Sequence, residues 1–270
     1  MPYITSDGFD IYYELMGNGP PLAIYHGMTG SLESFKEPGF SQYLDLQRNY
    51  QLILVDIRGH GKSSKSHNPN DYISTKFASD LCAILDRESI HKTNVLGISL
   101  GARLCYVFHK YMRPRLNTLI IGEAHPYKIN EAFAKKLRNS LDGGIEAIVQ
   151  LRLEGYRNKG QELPITMKDR LLQNDPEALL ALIKHPDSPW NLKDLDDCLN
   201  TTEIPILLFC GTKDPFYKGV EQVSQVINNV DYLRLDGHDH AALLTGASEI
   251  IPRIESFLKK HTQVQPHSRD

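Results

Sequence analysis

The sequence feature that most constrains the fold is the pentapeptide Gly-Ile-Ser-Leu-Gly at 97–101. An apolar, β-rich run at 94–98 leads into it, and an amphipathic stretch over 100–112 predicts a helix that ends before Pro114. A serine projects outward from a turn this tight only if the residues two positions before and after it lack a Cβ. We therefore predict that Ser99 stands on a sharp strand-to-helix turn at the C-terminal edge of a sheet.

The rest of the first half alternates short β-rich runs with amphipathic stretches, which is typical of a mostly parallel sheet covered by helices. A turn at 6–8 separates two such runs and predicts an antiparallel entry hairpin. Ser74 is positioned to cap a helix whose apolar residues recur at helical spacing as far as Leu85. Buried strands are predicted at 22–25, 52–55, 94–98 and 119–121.

The pattern changes between 126 and 203, where the sequence predicts helices and no strand. These helices are predicted at 131–141, 145–153, 167–173 and 176–184. A connection this long far exceeds the ~4–6 residues of an ordinary loop, so it should fold as an inserted helical cap. Strands at 206–210 and 231–235 and a helix at 248–260 then resume the α/β pattern. The predicted domains are a core at 1–125 and 204–260, a cap at 126–203, and a polar, disordered tail at 261–270.

Composition excludes several classes of partner. With 30 Lys and Arg against 33 Asp and Glu, the chain has no basic field to hold nucleic acid or an anionic membrane surface. No stretch approaches the ~18 apolar residues of a membrane span, and the N-terminus lacks a signal-peptide pattern. Cys82, Cys105, Cys198 and Cys210 form no close pair and are expected to be reduced, mostly buried thiols. We expect a cytoplasmic protein that binds a small molecule, with a homodimer left open.

A serine hydroxyl needs a base, and the base needs an orienting carboxylate, before it can act as a nucleophile near neutral pH. Asp214 follows the predicted strand at 206–210, and His238 and His240 follow the strand at 231–235. The chain order Ser, Asp, His suits a serine on such a turn. Residues 236–237 predict a further turn, after which the chain must double back over the serine, so the later histidine is favoured.

The negative oxygen formed when a serine attacks a carbonyl needs two N–H donors. The Leu100 N–H, at the start of the predicted helix, is one candidate. The Met28 N–H is the second, because it lies in the glycine-flexible turn 26–30 that follows the strand at 22–25. We interpret His26 in this turn as a structural histidine satisfied by loop carbonyls.

Together these residues resemble the α/β-hydrolase superfamily over nearly the whole chain outside the insertion. His26-Gly27 looks like its oxyanion-loop motif, the run DIRGHGKS at 56–63 looks like its D-x-R-G-x-G-x-S loop, and 97–101 looks like its nucleophile turn. The resemblance implies an α/β-hydrolase fold: a mostly parallel eight-stranded sheet flanked by helices, a helical cap inserted after strand six, and no cofactor or metal. The polar loop 56–63 is interpreted as a brace for the site through Asp56, Arg58 and Ser63.

Within this superfamily the chain looks like the single-lid serine hydrolases, such as carboxylesterases and enol-lactonases. The branch that uses an aspartate nucleophile is excluded, because Ser99 occupies that position. The final loop, 236–240, looks like the family's P-G-x-D-H form with Asp in place of Pro, which again selects His240. An alternative alignment on the family's G-H ending selects His238.

The sequence thus predicts acyl transfer to water, with a small carboxylic ester, thioester or lactone as substrate. Ser99 attacks the carbonyl, His240 accepts its proton, Asp214 stabilises the imidazolium, and the N–H groups of Met28 and Leu100 hold the oxyanion. Water, activated by the same histidine, then releases the acid.

The candidate pocket walls are Trp190 and Leu182 from the insertion and Tyr127 and Phe216 from core loops. Three alternatives stay open. The same triad could run carbon–carbon bond hydrolysis or acyl transfer to another nucleophile, and the fold could serve a non-catalytic ligand-binding protein. The histidines of the His-Asp-His run could also bind zinc, although no third ligand with suitable spacing is evident.

Overall fold

The computed structural model describes residues 2–158, 160–192, 199–240 and 245–262. Its strands are β1 (Tyr3–Ser6), β2 (Phe9–Met16), β3 (Pro21–Tyr25), β4 (Gln51–Val55), β5 (Thr93–Ile98), β6 (Leu116–Gly122), β7 (Ile206–Gly211) and β8 (Val230–Leu235). They form one eight-stranded sheet in the order β1-β2-β4-β3-β5-β6-β7-β8. β2 pairs antiparallel with β1 and β4, and all other neighbours are parallel. The mostly parallel eight-stranded sheet and the entry hairpin are thereby confirmed.

The helices flank this sheet and fill the long connection between two of its strands. They are α1 (Ser74–Arg87), α2 (Leu100–Met112), α3 (Glu131–Asp142), α4 (Gly144–Arg157), α5 (Ile165–Leu172), α6 (Pro176–Lys184), α7 (Tyr217–Val226) and α8 (Ala247–His261). Helices α3 to α6 all lie between β6 and β7, which are neighbours in the sheet. The connection therefore leaves and re-enters the sheet at adjacent strands.

The sheet separates two layers of buried apolar side chains. Successive residues of a strand point to opposite faces, so Ile53 and Val55 of β4 lie in one layer and Leu52 and Leu54 in the other. The first layer includes α1, α2 and the buried residues of the cap, whereas the second is closed by α8. The cap and one face of the sheet thus share a continuous apolar core.

Two sequence predictions need correction. Ser74 is the first helical residue and not the N-cap of α1, since Ile73 occupies that position. The Ser74 hydroxyl instead donates to the Asp187 carbonyl at 2.6 Å, a tertiary partner that propensity cannot anticipate. The polar tail also begins later than predicted, because α8 continues through His261, and residues 263–270 lie outside the described part of the chain.

The cysteines that the structure describes are free thiols. Cys105 and Cys210 are buried free thiols and Cys82 is a half-buried one, while Cys198 lies outside the described residues. Within the described ranges, no helix combines the length and apolarity needed to cross a membrane.

Candidate active site

Backbone packing forces Ser99 outward at the junction of β5 and α2. Ser99 has φ 54° and ψ −109°, a conformation that costs an ordinary residue on the order of 1–3 kcal/mol. A Cβ added to Gly97 would lie 2.1 Å from the Gly101 carbonyl oxygen, and one added to Gly101 would lie 2.4 Å from that of Tyr25. No side chain fits at either position. The turn is thus tight enough to expose the serine hydroxyl above the sheet edge.

Three side chains from three strand ends meet at this turn. His240 Nε2 lies 3.1 Å from Ser99 Oγ, and His240 Nδ1 lies 2.8 Å from Asp214 Oδ2. Asp214 is buried, and its other oxygen accepts the Phe216 N–H at 2.7 Å. Because an ionised carboxylate only accepts, Nδ1 carries the proton and Nε2 can accept the serine O–H. The structure brings together the Ser, His and Asp that the sequence singled out.

His238 has different partners. Its Nδ1 lies 2.7 Å from Thr245 Oγ1, and its Nε2 lies 3.7 Å from a carboxylate oxygen of Glu249. Its carbonyl accepts the Lys213 N–H at 2.8 Å. The structure therefore places His240, and not His238, between the serine and the acid. The two histidines do not converge on a shared ligand position of the kind considered for zinc.

The turn at 27–30 lies directly beside Ser99. A Cβ on Gly27 would lie 3.3 Å from Ser99 Cβ, and the Gly30 N–H closes the turn on the Gly27 carbonyl at 3.0 Å. Among the described residues, neither the Met28 N–H nor the Leu100 N–H donates to a protein acceptor. The turn that carries Met28 therefore borders Ser99, and neither of the two N–H groups is engaged by another described residue.

The cap holds this turn from outside. Thr29 has φ 63°, and its carbonyl accepts hydrogen bonds from Arg170 Nη1 at 2.9 Å and Asn174 Nδ2 at 3.1 Å. Arg170 also pairs with Glu37, with 2.8 Å between Nε and Oε1. Two cap side chains thus fix the residue that follows Met28. Sequence reasoning had no signal for this contact, because it depends on how α5 docks.

His26 and Asp56 connect the turn to the next loop. His26 Nε2 accepts the Ile57 N–H at 3.1 Å, so its Nδ1 carries the proton and donates to the Gly27 carbonyl at 2.8 Å. Burial lowers the pKa of His26 well below its ordinary value, which keeps the ring neutral. Asp56 Oδ1 accepts the Leu32 N–H at 2.7 Å. Loop carbonyls were expected as the partners of His26, and one of the two partners is instead the Ile57 N–H. Both contacts fit a structural use of the ring.

The same loop contains two further buried anchors. Arg58 donates to both carboxylate oxygens of Asp80, at 2.7 and 3.0 Å. Ser63 donates to the Asp56 carbonyl at 2.7 Å and accepts the Tyr12 N–H at 2.9 Å. These contacts join the loop to α1 and β2, as expected of braces.

Comparison with known proteins agrees with this geometry. A family model of the alpha/beta hydrolase fold matches residues 20–134, a range that includes the turn at 27–30, the loop at 56–63 and the serine turn at 97–101. The chain has the alpha/beta hydrolase fold.

The proteins that this chain resembles are named for several activities. A non-heme haloperoxidase of Rhodococcus erythropolis is 24% identical over 281 residues, covering 96% of this chain and 100% of that protein. The enol-lactonase of Burkholderia xenovorans superposes with a TM-score of 0.82 at 18% identity, covering 96% of this chain and all of that one. A Rhodococcus esterase superposes with a TM-score of 0.78 at 21% identity, covering 96% and 98% of the two chains. At these identities the solved structures show a shared fold.

Glu123 lies beside Asp214 and His240 and was not predicted from the sequence. It directly follows β6, is buried, and has φ 59°. One oxygen each of Glu123 and Asp214 and one nitrogen of His240 lie within 4.8 Å of one another, the one group with metal-compatible spacing in the described ranges. Within it, His240 Nδ1 and Asp214 Oδ2 already share a hydrogen bond. A carboxylate directly after a parallel strand was the available signal.

The charges around His240 favour its protonated form. Burial lowers the pKa of His240, but the hydrogen bond from its ring to Asp214 and the negative charges of Glu123 and Asp214 raise it by more. The positive charge of Arg152 acts in the same direction as burial and is also outweighed. The pKa of His240 therefore lies above the ordinary histidine value, as suits a ring that must hold a proton during a reaction.

The four predicted pocket residues lie in different environments. The Phe216 ring meets the His240 ring edge to face, with centroids 5.3 Å apart. Trp190 is buried where the cap meets the core, and Tyr127 is half-buried. Leu182 is fully buried in the shared apolar core. The structure thus brings Phe216 into contact with His240, whereas Leu182 packs among cap and core residues.

Proposed function

We propose that this α/β hydrolase is a serine hydrolase that cleaves a small carboxylic ester, thioester or lactone through an acyl-enzyme. The supporting observation is the pair of hydrogen bonds made by His240, at 3.1 Å to Ser99 Oγ and 2.8 Å to Asp214 Oδ2. A neutral imidazole placed in this way can take a proton from one neighbour while its positive charge is stabilised by the other.

In the acylation step, the Ser99 oxygen attacks the substrate carbonyl as its proton passes to His240 Nε2. The carbonyl oxygen becomes an oxyanion, and the N–H groups of Met28 and Leu100 are proposed to hold it. A single donor of this kind contributes about 10²- to 10³-fold to turnover in serine enzymes. Collapse of the tetrahedral intermediate passes the proton from His240 to the departing alcohol, thiol or enol.

In the second step, water takes the place of the leaving group. His240 removes a proton from the water as the water oxygen bonds to the acyl carbon. The tetrahedral intermediate then collapses: the bond from the acyl carbon to Ser99 Oγ breaks, His240 returns the proton to Ser99 Oγ, and the acid departs. Asp214 keeps the same hydrogen bond throughout and stays ionised. The two steps thus use residues of the chain, the substrate and one water molecule.

The relatives support carbonyl chemistry on this scaffold without selecting one substrate. An esterase and an enol-lactonase share the fold across nearly the whole chain, and a haloperoxidase shares sequence along its full length. We propose that the helices of the predicted cap, 126–203, select among such substrates, since Arg170 and Asn174 reach the turn beside Ser99. We further propose that the enzyme acts on a small molecule in the cytoplasm.

The deciding experiment combines turnover with covalent labelling. A series of p-nitrophenyl esters of increasing acyl length, with lactones in parallel, should reveal hydrolysis that Ser99→Ala lowers by about 10³-fold or more, because the covalent route is lost. A fluorophosphonate should label Ser99 in the wild type, as mapped by peptide mass spectrometry. Ser140→Ala, on the surface of α3, is the matched control and should leave both readouts unchanged.

Hydrolysis by Ser99→Ala at the wild-type rate would overturn the proposal. Labelling of Ser99 without release of acid from any ester or lactone would instead favour carbon–carbon bond hydrolysis or acyl transfer on the same triad. Ligand binding without labelling or product would favour a binding protein.

A further inference from the structure

Backbone hydrogen bonds place a second carboxylate between the strands that lead to Ser99 and Asp214. In the sheet, β6 lies between β5 and β7. The Gly122 carbonyl at the end of β6 accepts the Ser99 N–H at 2.9 Å. The next residue, Glu123, donates its N–H to the Phe209 carbonyl of β7 at 3.0 Å. Glu123 therefore enters the site from the strand between the nucleophile and the acid.

The backbone of Glu123 is held in an unusual conformation. Its φ of 59° is one that residues with a side chain rarely adopt, and such conformations cluster at functional sites. A Cβ on the preceding Gly122 would lie 2.2 Å from the Phe209 ring, so close packing leaves the chain little room to shift. Glu123 is only 2% exposed. A glutamate is almost never buried to this extent unless polar or charged groups surround it.

His240 has two carboxylates within short range. One oxygen of Glu123 lies within 4.8 Å of one oxygen of Asp214 and of one nitrogen of His240. Asp214 makes the hydrogen bond to the ring, at 2.8 Å. Two carboxylates this close and out of water oppose each other's ionisation, and an imidazolium beside them relieves that repulsion. The imidazolium forms when His240 takes the serine proton, so both negative charges stabilise it at that moment.

We propose that Glu123 is a second acid for His240, which shares the stabilisation of the imidazolium and can hold the ring when Asp214 is lost. The inference rests on the proposed function and adds a positioning residue to it. Without Asp214, rotation about the side-chain bonds of Glu123 brings its carboxylate from within 4.8 Å to hydrogen-bond distance of the ring. His240 Nδ1 then donates to Glu123, and Nε2 still accepts the Ser99 proton.

The kinetic test measures the activity that remains when the first acid is removed. In serine enzymes whose histidine has one acid, loss of that acid lowers kcat by about 10⁴-fold. Here Asp214→Ala should lower kcat for the best p-nitrophenyl ester by only about 10²-fold. Glu123→Gln should cost less than about tenfold in the wild type but about 10²-fold in Asp214→Ala, where the second acid acts alone. Glu131→Gln, on the surface of α3, should have no effect in either background.

A titration removes both turnover and the Asp214 substitution from the measurement. Asp214→Ala also deprives the Phe216 N–H of its acceptor, so the loop after β7 could change shape in that variant. The pKa of His240 can instead be measured by NMR in Ser99→Ala with isotope-labelled histidine. The His240 signal is assigned as the one that is lost when His240→Ala is added.

In this titration Glu123→Gln should lower the pKa of His240, and Glu131→Gln should leave it unchanged. The charged groups that act on the ring are Asp214, Glu123 and Arg152. Asp214 and Arg152 are the same in all of the proteins titrated, so a fall in the pKa reports the charge of Glu123.

The outcomes separate the inference from the proposed function. A cost of Glu123→Gln that is the same with and without Asp214, or a pKa of His240 that Glu123→Gln leaves unchanged, would overturn the second acid and leave the proposed hydrolysis intact. Conversely, a pKa of His240 that falls in Glu123→Gln, in a protein with no hydrolysis that depends on Ser99, would support the second acid and overturn the proposed hydrolysis.

Discussion

The core and the cap of this molecule are positioned by different kinds of contact. In the core, the residues of the candidate triad are held by their own backbones: the Ser99 N–H donates to the Gly122 carbonyl at 2.9 Å, and the Asp214 N–H donates to the Gly211 carbonyl at 3.0 Å. Close glycine packing adds to this, since a Cβ on Gly211 would lie 2.3 Å from the His238 carbonyl oxygen. Such contacts depend on main-chain geometry and hardly at all on exposed side chains.

Long side chains from both parts join the cap to the core. Arg103 of α2 donates to the carbonyls of Pro189 and Trp190, at 2.7 and 3.1 Å, and Arg170 reaches back to the Thr29 carbonyl. A single substitution removes a contact of this kind without altering the sheet. The proposed chemistry therefore belongs to the core, which backbone packing holds in place. The proposed substrate choice belongs to the cap, which side chains attach to the core.

The largest effect is expected from the base in the core. His240→Ala should lower acylation by about 10³-fold or more, because no other ring lies between Ser99 and Asp214 in the described structure. His238→Ala should keep at least about a tenth of the activity, since His238 bonds Thr245 instead. Burst kinetics with an activated ester measures both. An inactive His238→Ala beside an active His240→Ala would reverse the assignment.

An intermediate effect is expected where the cap touches the core. Arg170→Met removes one of two hydrogen bonds to the Thr29 carbonyl, so the turn that carries Met28 should become less well ordered. We expect kcat to fall about tenfold with a smaller change in KM, because the oxyanion matters most in the transition state. Asn174 keeps its own bond to the same carbonyl, so the loss should be partial.

The control for this prediction is Arg138→Met, which removes an ion pair with Glu131 on the surface of the cap. It should leave kcat and KM as they are. If Arg170→Met raises KM alone, the cap acts on substrate binding and the core turn holds its shape without it. In that case the cap would affect substrate binding alone, and the core would supply all of the transition-state stabilisation.

The smallest effect concerns the pH profile. Because His240 must be neutral to accept a proton, kcat/KM should rise with pH through its raised pKa, on an acid limb above the ordinary histidine value. Glu123→Gln removes a negative charge that favours the imidazolium, so the pKa should fall and the limb should move to lower pH. Arg152→Met removes an opposing positive charge and should move it to higher pH. Glu131→Gln is the remote control.

These shifts also test the comparison, since Glu123 belongs to the core and Arg152 to the cap. The acid limb of the kcat/KM profile could shift for Glu123→Gln and stay in place for Arg152→Met. That result would mean that the charge of Arg152 is too far from His240 to affect its pKa. Profiles of kcat/KM from about pH 5 to 9 with a neutral ester provide the measurement, because a neutral ester does not itself titrate.

The sequence predicted much of the core because local rules and tertiary structure agree there. Ser99, Asp214 and the histidines each follow a strand, and the carboxyl ends of parallel strands meet at one edge of the sheet. The same rule applies to Glu123 after β6, but a single carboxylate after a strand is common and is a weak signal by itself. Ser74 shows the opposite case, in which a capping pattern gave way to a tertiary carbonyl.

The cap shows where prediction from sequence ends. Its helices were found from periodicity, but periodicity fixes neither the rotation of a helix about its axis nor its docking angle. The contact of Arg170 with the turn beside Ser99 therefore could not be foreseen, although Arg170 lies in a predicted helix. A leucine such as Leu182 suits both a pocket wall and an apolar core. Only the packing of the helices shows that Leu182 is fully buried.

The position of the cap between two adjacent strands also affects the order in which the enzyme is assembled. Ser99 and His240 are separated by 141 positions, and β6 can pair with β7 only after the intervening helices have been synthesised. Contacts this distant along the chain form slowly, because a long loop must close first. In a nascent or partly refolded chain, Ser99 can therefore reach its position well before His240 does. The return of activity during refolding reports the docking of the last strands, not the first collapse of the chain.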